Sequence, residues 1–239
     1  MRRQGLIIGG CAALLLGLVP YATVGAAPEG ATPTCNGVPA TMVVDFPGPT
    51  WEGTEQRDVI VVVGPISLVD IRGLGGNDLI CGGSGSDDID GGQGNDTIFG
   101  RGGRDCLAGE SAAVTVSDNQ FSACLQQPVV TGGDDVLRGG DGNDWIYGNV
   151  GHDDLFGEAG NDWLKAGDQG DFLNGGTGND DLLGGSGGDE LRGYTGNDDL
   201  LGGSGGDDLF GGDGTDDLDG GSGNDFCDGG PGTDTTRSC

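Results

Sequence analysis

Cations are scarce in this chain of 239 residues: ten Lys and Arg stand against 39 Asp and Glu, with one His and a formal net charge of −29. Nucleic acids and anionic membrane surfaces are bound through Lys/Arg patches, so both are excluded as natural partners. Aromatic residues make up only 5 %, too few large side chains to offset the ordering entropy of an ordinary globular core. Nine prolines among 56 glycines exclude collagen, which needs Gly at every third position and abundant Pro. A single histidine and the absence of clustered CxxC spacing exclude a zinc site. What remains is a glycine-rich, acidic chain built to meet cations.

Residues 1–26 read as a secretory signal peptide. Arg2 and Arg3 supply the positive start, Leu6–Val19 the apolar stretch, and Val24-Gly25-Ala26 the small residues before a cut. The apolar stretch is shorter than the ~20 residues needed to span a bilayer, and no transmembrane segment is expected after it is removed. Losing Arg2 and Arg3 moves the charge from −29 to −31. A secreted, extracellular protein is therefore expected, by the general or the twin-arginine export route. Six cysteines then remain: Cys35, Cys81, Cys106, Cys124, Cys227 and Cys239. An even count in an exported chain points to disulfides, with 15 full pairings open. The simplest of these joins Cys35 to Cys81, Cys106 to Cys124 and Cys227 to Cys239.

From Gly73 onward the sequence has a period of nine. Four units, GLGGNDLIC, GGSGSDDID, GGQGNDTIF and GRGGRDCLA, cover 73–108. A non-repeating insertion covers 109–129, and twelve more units follow in phase from Val130 to Arg237, so that 130–239 forms a second block with its C-terminal end. Position six is Asp in every unit: Asp78, Asp87, Asp96, Asp105, Asp135, Asp144, Asp153, Asp162, Asp171, Asp180, Asp189, Asp198, Asp207, Asp216, Asp225 and Asp234. Position four is Gly except at Gln169, and position eight is Leu or Ile except at Cys227 and Thr236. Upstream, Arg57–Val61 and Val69–Ile71 look like degraded units that cap the first good repeat within an N-terminal segment, 27–72.

Within Gly91–Phe99 the first six residues are turn chemistry, since Gly adopts positive φ freely and Asn tolerates it. The last three alternate as a very short strand, with Ile98 inward and Thr97 and Phe99 outward. Two units make one coil, and stacked coils form two narrow parallel sheets. Stacking brings the position-six carboxylates of successive coils to a strand spacing of about 4.8 Å, where they repel. A hard dication between them reverses the sign. Calcium takes six to eight oxygens in flexible geometry, whereas magnesium demands a tight octahedron and keeps its waters. Transition metals want imidazole or thiolate.

The pattern resembles the glycine-rich nonapeptide of the RTX, or hemolysin-type, calcium-binding repeat family. The opening from Cys35 to Thr41, followed by such repeats, is similar to secreted bacterial calcium-binding members. The resemblance implies an all-β, right-handed parallel β-roll, with glycine-rich turns on both edges and the sixteen aspartates as metal ligands. Counting pairs of turns within two separate blocks gives about ten to twelve Ca2+. Twelve ions would cancel about 24 negative charges. The unit starting at Ala166, with Gln169 and Gly170 exchanged, the unit starting at Val130 and the last unit are the weakest expected sites.

The function expected is calcium binding with calcium-dependent folding outside the cell. The alternative is a calcium-stiffened cell-surface structural or adhesion protein. Phe99, Trp145, Tyr147, Phe156, Trp163, Phe172 and Phe210 at outward positions would form its contact strip, or else simply cover the sheets. No enzyme is expected. His152 reads as an exposed turn residue, and pairs such as Asp180-Asp181 recur with the repeat rather than marking an acid/base dyad. Family members with toxin or protease activity carry an effector domain, for which neither 27–72 nor the insertion is large enough. Ice binding, known in relatives with regular outward threonines, is disfavoured by the irregular Thr177, Thr195 and Thr215.

Overall fold

The computed structural model describes residues 32–45, 48, 50–109 and 132–239; the leader, Cys124 and most of the insertion lie outside the described residues. The described chain is an all-β parallel solenoid of about ten coils, made of two ten-stranded sheets and preceded by a small antiparallel pair, Thr34–Cys35 with Val38–Pro39. The first sheet runs Met42–Val44, Val59–Val62, Leu79–Cys81, Thr97–Gly102, Val136–Asp141, Asp154–Ala159, Phe172–Thr177, Glu190–Thr195, Asp208–Asp213 and Phe226–Asp228. The second runs Trp51–Glu52, Asp70–Arg72, Asp88–Asp90, Cys106–Ala108, Trp145–Val150, Trp163–Asp168, Asp181–Ser186, Asp199–Gly205, Asp217–Gly223 and Thr235–Arg237. Consecutive strands alternate between sheets, so each coil is two repeats long and every strand pairs with the strand two repeats away. No helix among the described residues is long and apolar enough to cross a membrane.

The core is one file of position-eight side chains per sheet. Ile80, Ile98, Leu137, Leu155, Leu173, Leu191 and Leu209 fill one side, and Ile89, Leu107, Ile146, Leu164, Leu182 and Leu218 the other, all fully buried. Inward Leu or Ile at one phase is the burial expected from period-two alternation. With so few apolar residues per coil, the stack draws its order from repetition, each coil contacting only its neighbours.

Three features differ from the sequence reading. From Val136 to Gly223 the strands run six or seven residues, not three. The alternation does not stop at position nine: in Phe172–Thr177 the inward slots are Leu173 and then Gly175, the first residue of the next unit. A glycine in that second inward slot lets the strand continue, and the ladder extends to pair Gly176 with Glu158 and Tyr194. Second, the roll begins a coil earlier than the repeats reveal. Met42–Val44 pairs with Val59–Val62 and Trp51–Glu52 with Asp70–Arg72, placing Val44 and Trp51 in the core. These residues carry no GGxGxD turn, so nothing in their spacing announced them.

Third, the two blocks of repeats form one stack. Thr97–Gly102 pairs with Val136–Asp141, and Cys106–Ala108 with Trp145–Val150, in unbroken register. Gly109, read in sequence as the start of the insertion, lies against Asp135 Oδ2 with its own N–H donated to Tyr147 O. It therefore fills the first position of the repeat that ends in Val136-Leu137-Arg138.

Of the expected cysteine pairs, Cys35–Cys81 and Cys227–Cys239 are bonded, with Cα separations of 5.7 and 5.8 Å. Cys106 is also disulfide-bonded; Cys124, its expected partner, lies outside the described residues.

Candidate metal centre

Each turn occupies positions four to six, and it delivers the position-six aspartate to the edge of the stack with its carboxyl turned back toward the roll. Successive aspartates on one edge are joined by a repeated hydrogen bond, in which the backbone N–H of one Asp donates to Oδ1 of the Asp one coil on. Along one edge the ladder runs Asp58, Asp78, Asp96, Asp135, Asp153, Asp171, Asp189, Asp207, Asp225, with distances of 2.6–3.0 Å. Along the other it runs Asp87, Asp105, Asp144, Asp162, Asp180, Asp198, Asp216, Asp234, at 2.7–3.1 Å. All sixteen aspartates singled out in the sequence thus fall into two files, with seven coil-to-coil steps between them on each edge.

Along the files one carboxylate oxygen takes the ladder N–H, or at Asp87, first in its file, the Gly83 N–H on Oδ2, and at thirteen positions the other oxygen has no donor. Oδ2 of Asp78, Asp96, Asp105, Asp144, Asp153, Asp162, Asp171, Asp180, Asp189, Asp198, Asp207 and Asp216, and Oδ1 of Asp87, are buried without a hydrogen-bond donor. A buried carboxylate oxygen left bare carries its full desolvation cost. Burial accordingly pushes these groups up: Asp96, Asp144 and Asp180 to about 6, Asp78, Asp162 and Asp198 to about 7, and Asp105 and Asp171 to about 8. The ladder N–H works in the opposite direction, and neighbouring carboxylates in the file add to the rise, as Asp144 and Asp180 do for Asp162.

Carbonyl and carboxylate oxygens crowd the glycines of these turns. A Cβ on Gly91 would strike Asp96 Oδ2 and the Gly109 carbonyl of the next coil, and one on Gly160 would strike the Gly142 carbonyl. Positions one and four are therefore glycine because carboxylate and carbonyl oxygens crowd the space a side chain would take. Among the described residues no three His, Cys, Asp or Glu side chains converge on one point, so an ion at this edge takes most of its oxygens from the backbone. That donor set suits calcium, which accepts carbonyls and carboxylates in irregular arrays at 2.3–2.6 Å.

The weak units identified in sequence keep their places in the files. Asp135 and Asp171 are buried. At the irregular unit Gln169 itself takes φ +85°, standing in for the missing glycine. Asp225 and Asp234 are half-buried.

A second ladder was not foreseen. Position-five asparagines do not sit at positive φ; their Oδ1 atoms accept the N–H of the position-five residue one coil on, linking Asn143, Asn161, Asn179, Asn197 and Thr215 at 2.9–3.1 Å. His152 is exposed, as expected, and joins the equivalent row: its N–H donates to Asp134 Oδ1, and its Nδ1 lies 2.7 Å from Gly170 O. The recurrence of Asn at position five was the available signal, and it was read as turn tolerance alone.

Comparison with known families adds one finding. The RTX calcium-binding nonapeptide repeat (four copies) matches residues 70–89, 82–113, 130–164, 156–191, 165–200, 174–209 and 201–236, which together make up more than half of the chain. No curated protein matches it significantly.

Proposed function

The chain belongs to the RTX calcium-binding nonapeptide-repeat family, and from that membership we propose that it is a secreted, non-enzymatic protein whose folding outside the cell is driven by its ions. RTX repeats bind multiple calcium ions, and the files of buried aspartates fit such sites. Our finer reading assigns the ligands: Asp78, Asp96, Asp135, Asp153, Asp171, Asp189, Asp207 and Asp225 on one edge, and Asp87, Asp105, Asp144, Asp162, Asp180, Asp198, Asp216 and Asp234 on the other, each helped by turn carbonyls.

The observation that carries this reading is the row of bare, buried carboxylate oxygens. An ordinary fold gives such atoms a donor. Here a donor is lacking at thirteen aspartates of a regular array, and a cation satisfies them by one device. When bound, calcium supplies positive charge and no chemistry. The chain's part is to hold oxygens in file, to keep carbonyls uncovered with glycine, and to exclude water at the inner face. Because the site exists only when coils are stacked, binding energy is folding energy. Free calcium is high outside the cell and extracellular modules bind at roughly 10⁻⁴–10⁻³ M, so an acidic, self-repelling chain would stay open during export and close afterwards.

The decisive experiment uses residues 27–239 with disulfides intact. Circular dichroism during calcium titration should show β-structure appearing by millimolar calcium, with about ten or more ions bound per chain by elemental analysis. Equal compactness and protease resistance in excess chelator would overturn the reading.

A further inference from the structure

Asp58 heads the file that continues through Asp78, to whose Oδ1 its N–H donates at 2.7 Å, yet its own carboxylate is supplied by the protein. Oδ2 accepts the Thr54 N–H at 2.7 Å and the Thr54 hydroxyl at 2.9 Å, and the Thr41 hydroxyl donates to Oδ1 at 3.2 Å. Asp58 is only 8 % exposed, so these donors do for it what a cation would do for the thirteen bare aspartates farther on. A buried carboxylate with donors on both oxygens is compensated for its lost water. Among the described carboxylates between Thr34 and Arg72, only Asp45 has a buried oxygen without a donor, and Asp45 stands outside both files.

The same coils hold apolar side chain that the repeats lack. Strand Val59–Val62 is buried at all four positions. Ile60 and Val62 point into the core, while Val59 and Val61 pack on the opposite side with Cys35 and Val38 of the antiparallel pair. A strand of the repeats, Phe172–Thr177, fully buries one leucine and one glycine. The Cys35–Cys81 disulfide ties the antiparallel pair to strand Leu79–Cys81 and restricts the unfolded chain. Charge points the same way: 32–72 holds five acids and two arginines, whereas 73–239 holds 33 acids and six Lys and Arg. Net charge per residue is less than half as great in the first stretch, and with it the self-repulsion that opposes closure.

We propose that the first coils, from Thr34 to Cys81, form a seed that folds without calcium, and that ion-driven folding of the repeats proceeds from it toward the C-terminus. The inference rests on the calcium-driven folding proposed above and adds to it a starting point and a direction. The first coil of a stack has no neighbour to pair with, and each later one contacts only the coil before it. The seed offers strands Asp70–Arg72 and Leu79–Cys81 as edges, which pair with Asp88–Asp90 and Thr97–Gly102. Its Asp78 N–H takes Asp96 Oδ1 at 2.8 Å. The opposite end is poorly equipped to begin. Although Cys227 and Cys239 are bonded there, inward Thr236 is exposed, Cys227 is half-buried and Phe226 is exposed.

Hydrogen exchange read by mass spectrometry tests this on residues 27–239 with disulfides intact, in excess chelator and at stepwise calcium. In chelator, Val59–Val62 and Asp70–Arg72 should exchange about tenfold or more slowly than Phe172–Thr177 and Asp181–Ser186. Rising calcium should then protect Thr97–Gly102 before Asp208–Asp213. With Trp145 and Trp163, register partners farther along the roll, both replaced by Phe, emission from Trp51 should be the same in chelator as in calcium. Thr41→Val with Thr54→Val removes both hydroxyl donors to Asp58; it should weaken the protection in chelator and raise the calcium midpoint for β-structure more than Cys227→Ser with Cys239→Ser does. Exchange of Val59–Val62 in chelator as fast as that of Phe172–Thr177, protection that starts at Asp208–Asp213, or the reverse ranking of the two variants overturns the seed alone. Equal protection of every coil in chelator would overturn calcium-driven folding and the seed with it.

Discussion

Asp135 Oδ1 accepts the backbone N–H of Asp96 at 2.6 Å, although 39 positions of sequence separate the two. On the opposite edge Asp105 and Asp144 repeat the long step at 2.7 Å; between all other repeats the same bond spans 18, as from Asp78 to Asp96. The ladder is therefore indifferent to what is inserted between two of its rungs.

Removing Glu110–Val130, twenty-one residues, joins Gly109 to Thr131 and restores an unbroken nonapeptide. With Cys106→Ser to avoid a free thiol, the shortened chain should bind as many calcium ions as the parent and show the same β signal per residue. Closing a long loop carries an entropic cost that grows slowly with length, so its stability should equal or slightly exceed the parent's. Chelator-induced unfolding compares the two directly; loss of two or more ions would show that the extra residues hold the junction together.

Substituting Asp180→Asn keeps an acceptor for the Asp162 N–H, at 2.8 Å in the parent, and removes the charge. Stability in calcium should fall by about 2 kcal/mol, the scale of one charge-assisted bond, and stoichiometry by one or two ions. Asp234→Asn, at the half-buried end of the same file, should cost much less. Calorimetric titration of both variants tests the ranking, and equal effects would mean that burial of the carboxylate does not govern affinity.

The pH response should change sign with calcium. Unfolded aspartate titrates near 3.9, while in the ion-free roll Asp78 stands at about 7 and Asp105 at about 8. Between these limits the folded state holds more protons than the unfolded one, so raising pH from about 4 to about 8 destabilises the ion-free roll. In chelator the chain should show more β-structure at pH 4.5 than at pH 8. With millimolar calcium the order should reverse, because the ion needs the deprotonated carboxylate. Circular dichroism at both pH values, with and without calcium, gives all four readings.

Leu74 occupies position two at φ +78°, a left-handed conformation that costs a bulky side chain roughly 1–2 kcal/mol. Gly176 fills the same position at φ +105°, where a Cβ would run into the Glu158 carbonyl. Leu74→Gly should raise the stability of the calcium-loaded roll by about 0.5–1 kcal/mol, after allowing for the greater entropy of glycine in the unfolded chain. Gly176→Val should lower it. Thermal melts at fixed calcium measure both.

Much of this molecule follows from the period alone. Nine residues with Leu or Ile at position eight leave one inward side chain per strand, and an Asp fixed at position six can only form files once identical turns are stacked. The two inward files, from Ile80 to Leu209 and from Ile89 to Leu218, the two-repeat coil and the edge placement of all sixteen aspartates were legible for that reason. So was the preference for a hard cation, since no soft ligands were present in number.

Other features depended on which backbone meets which. Strand length was hidden because Gly175 looks like turn chemistry until a neighbouring coil pairs with it. The first coil, with Val44 and Trp51, lacks the motif and is recruited by the templating edge of Val59–Val62 and Asp70–Arg72. The joining of Asp96 to Asp135 and the meeting of Trp145 with Trp163 are likewise events between coils. Local sequence sets the shape of one turn; pairing across the stack selects its neighbours, because parallel strands bond to whatever lies one coil away and take no account of the chain between.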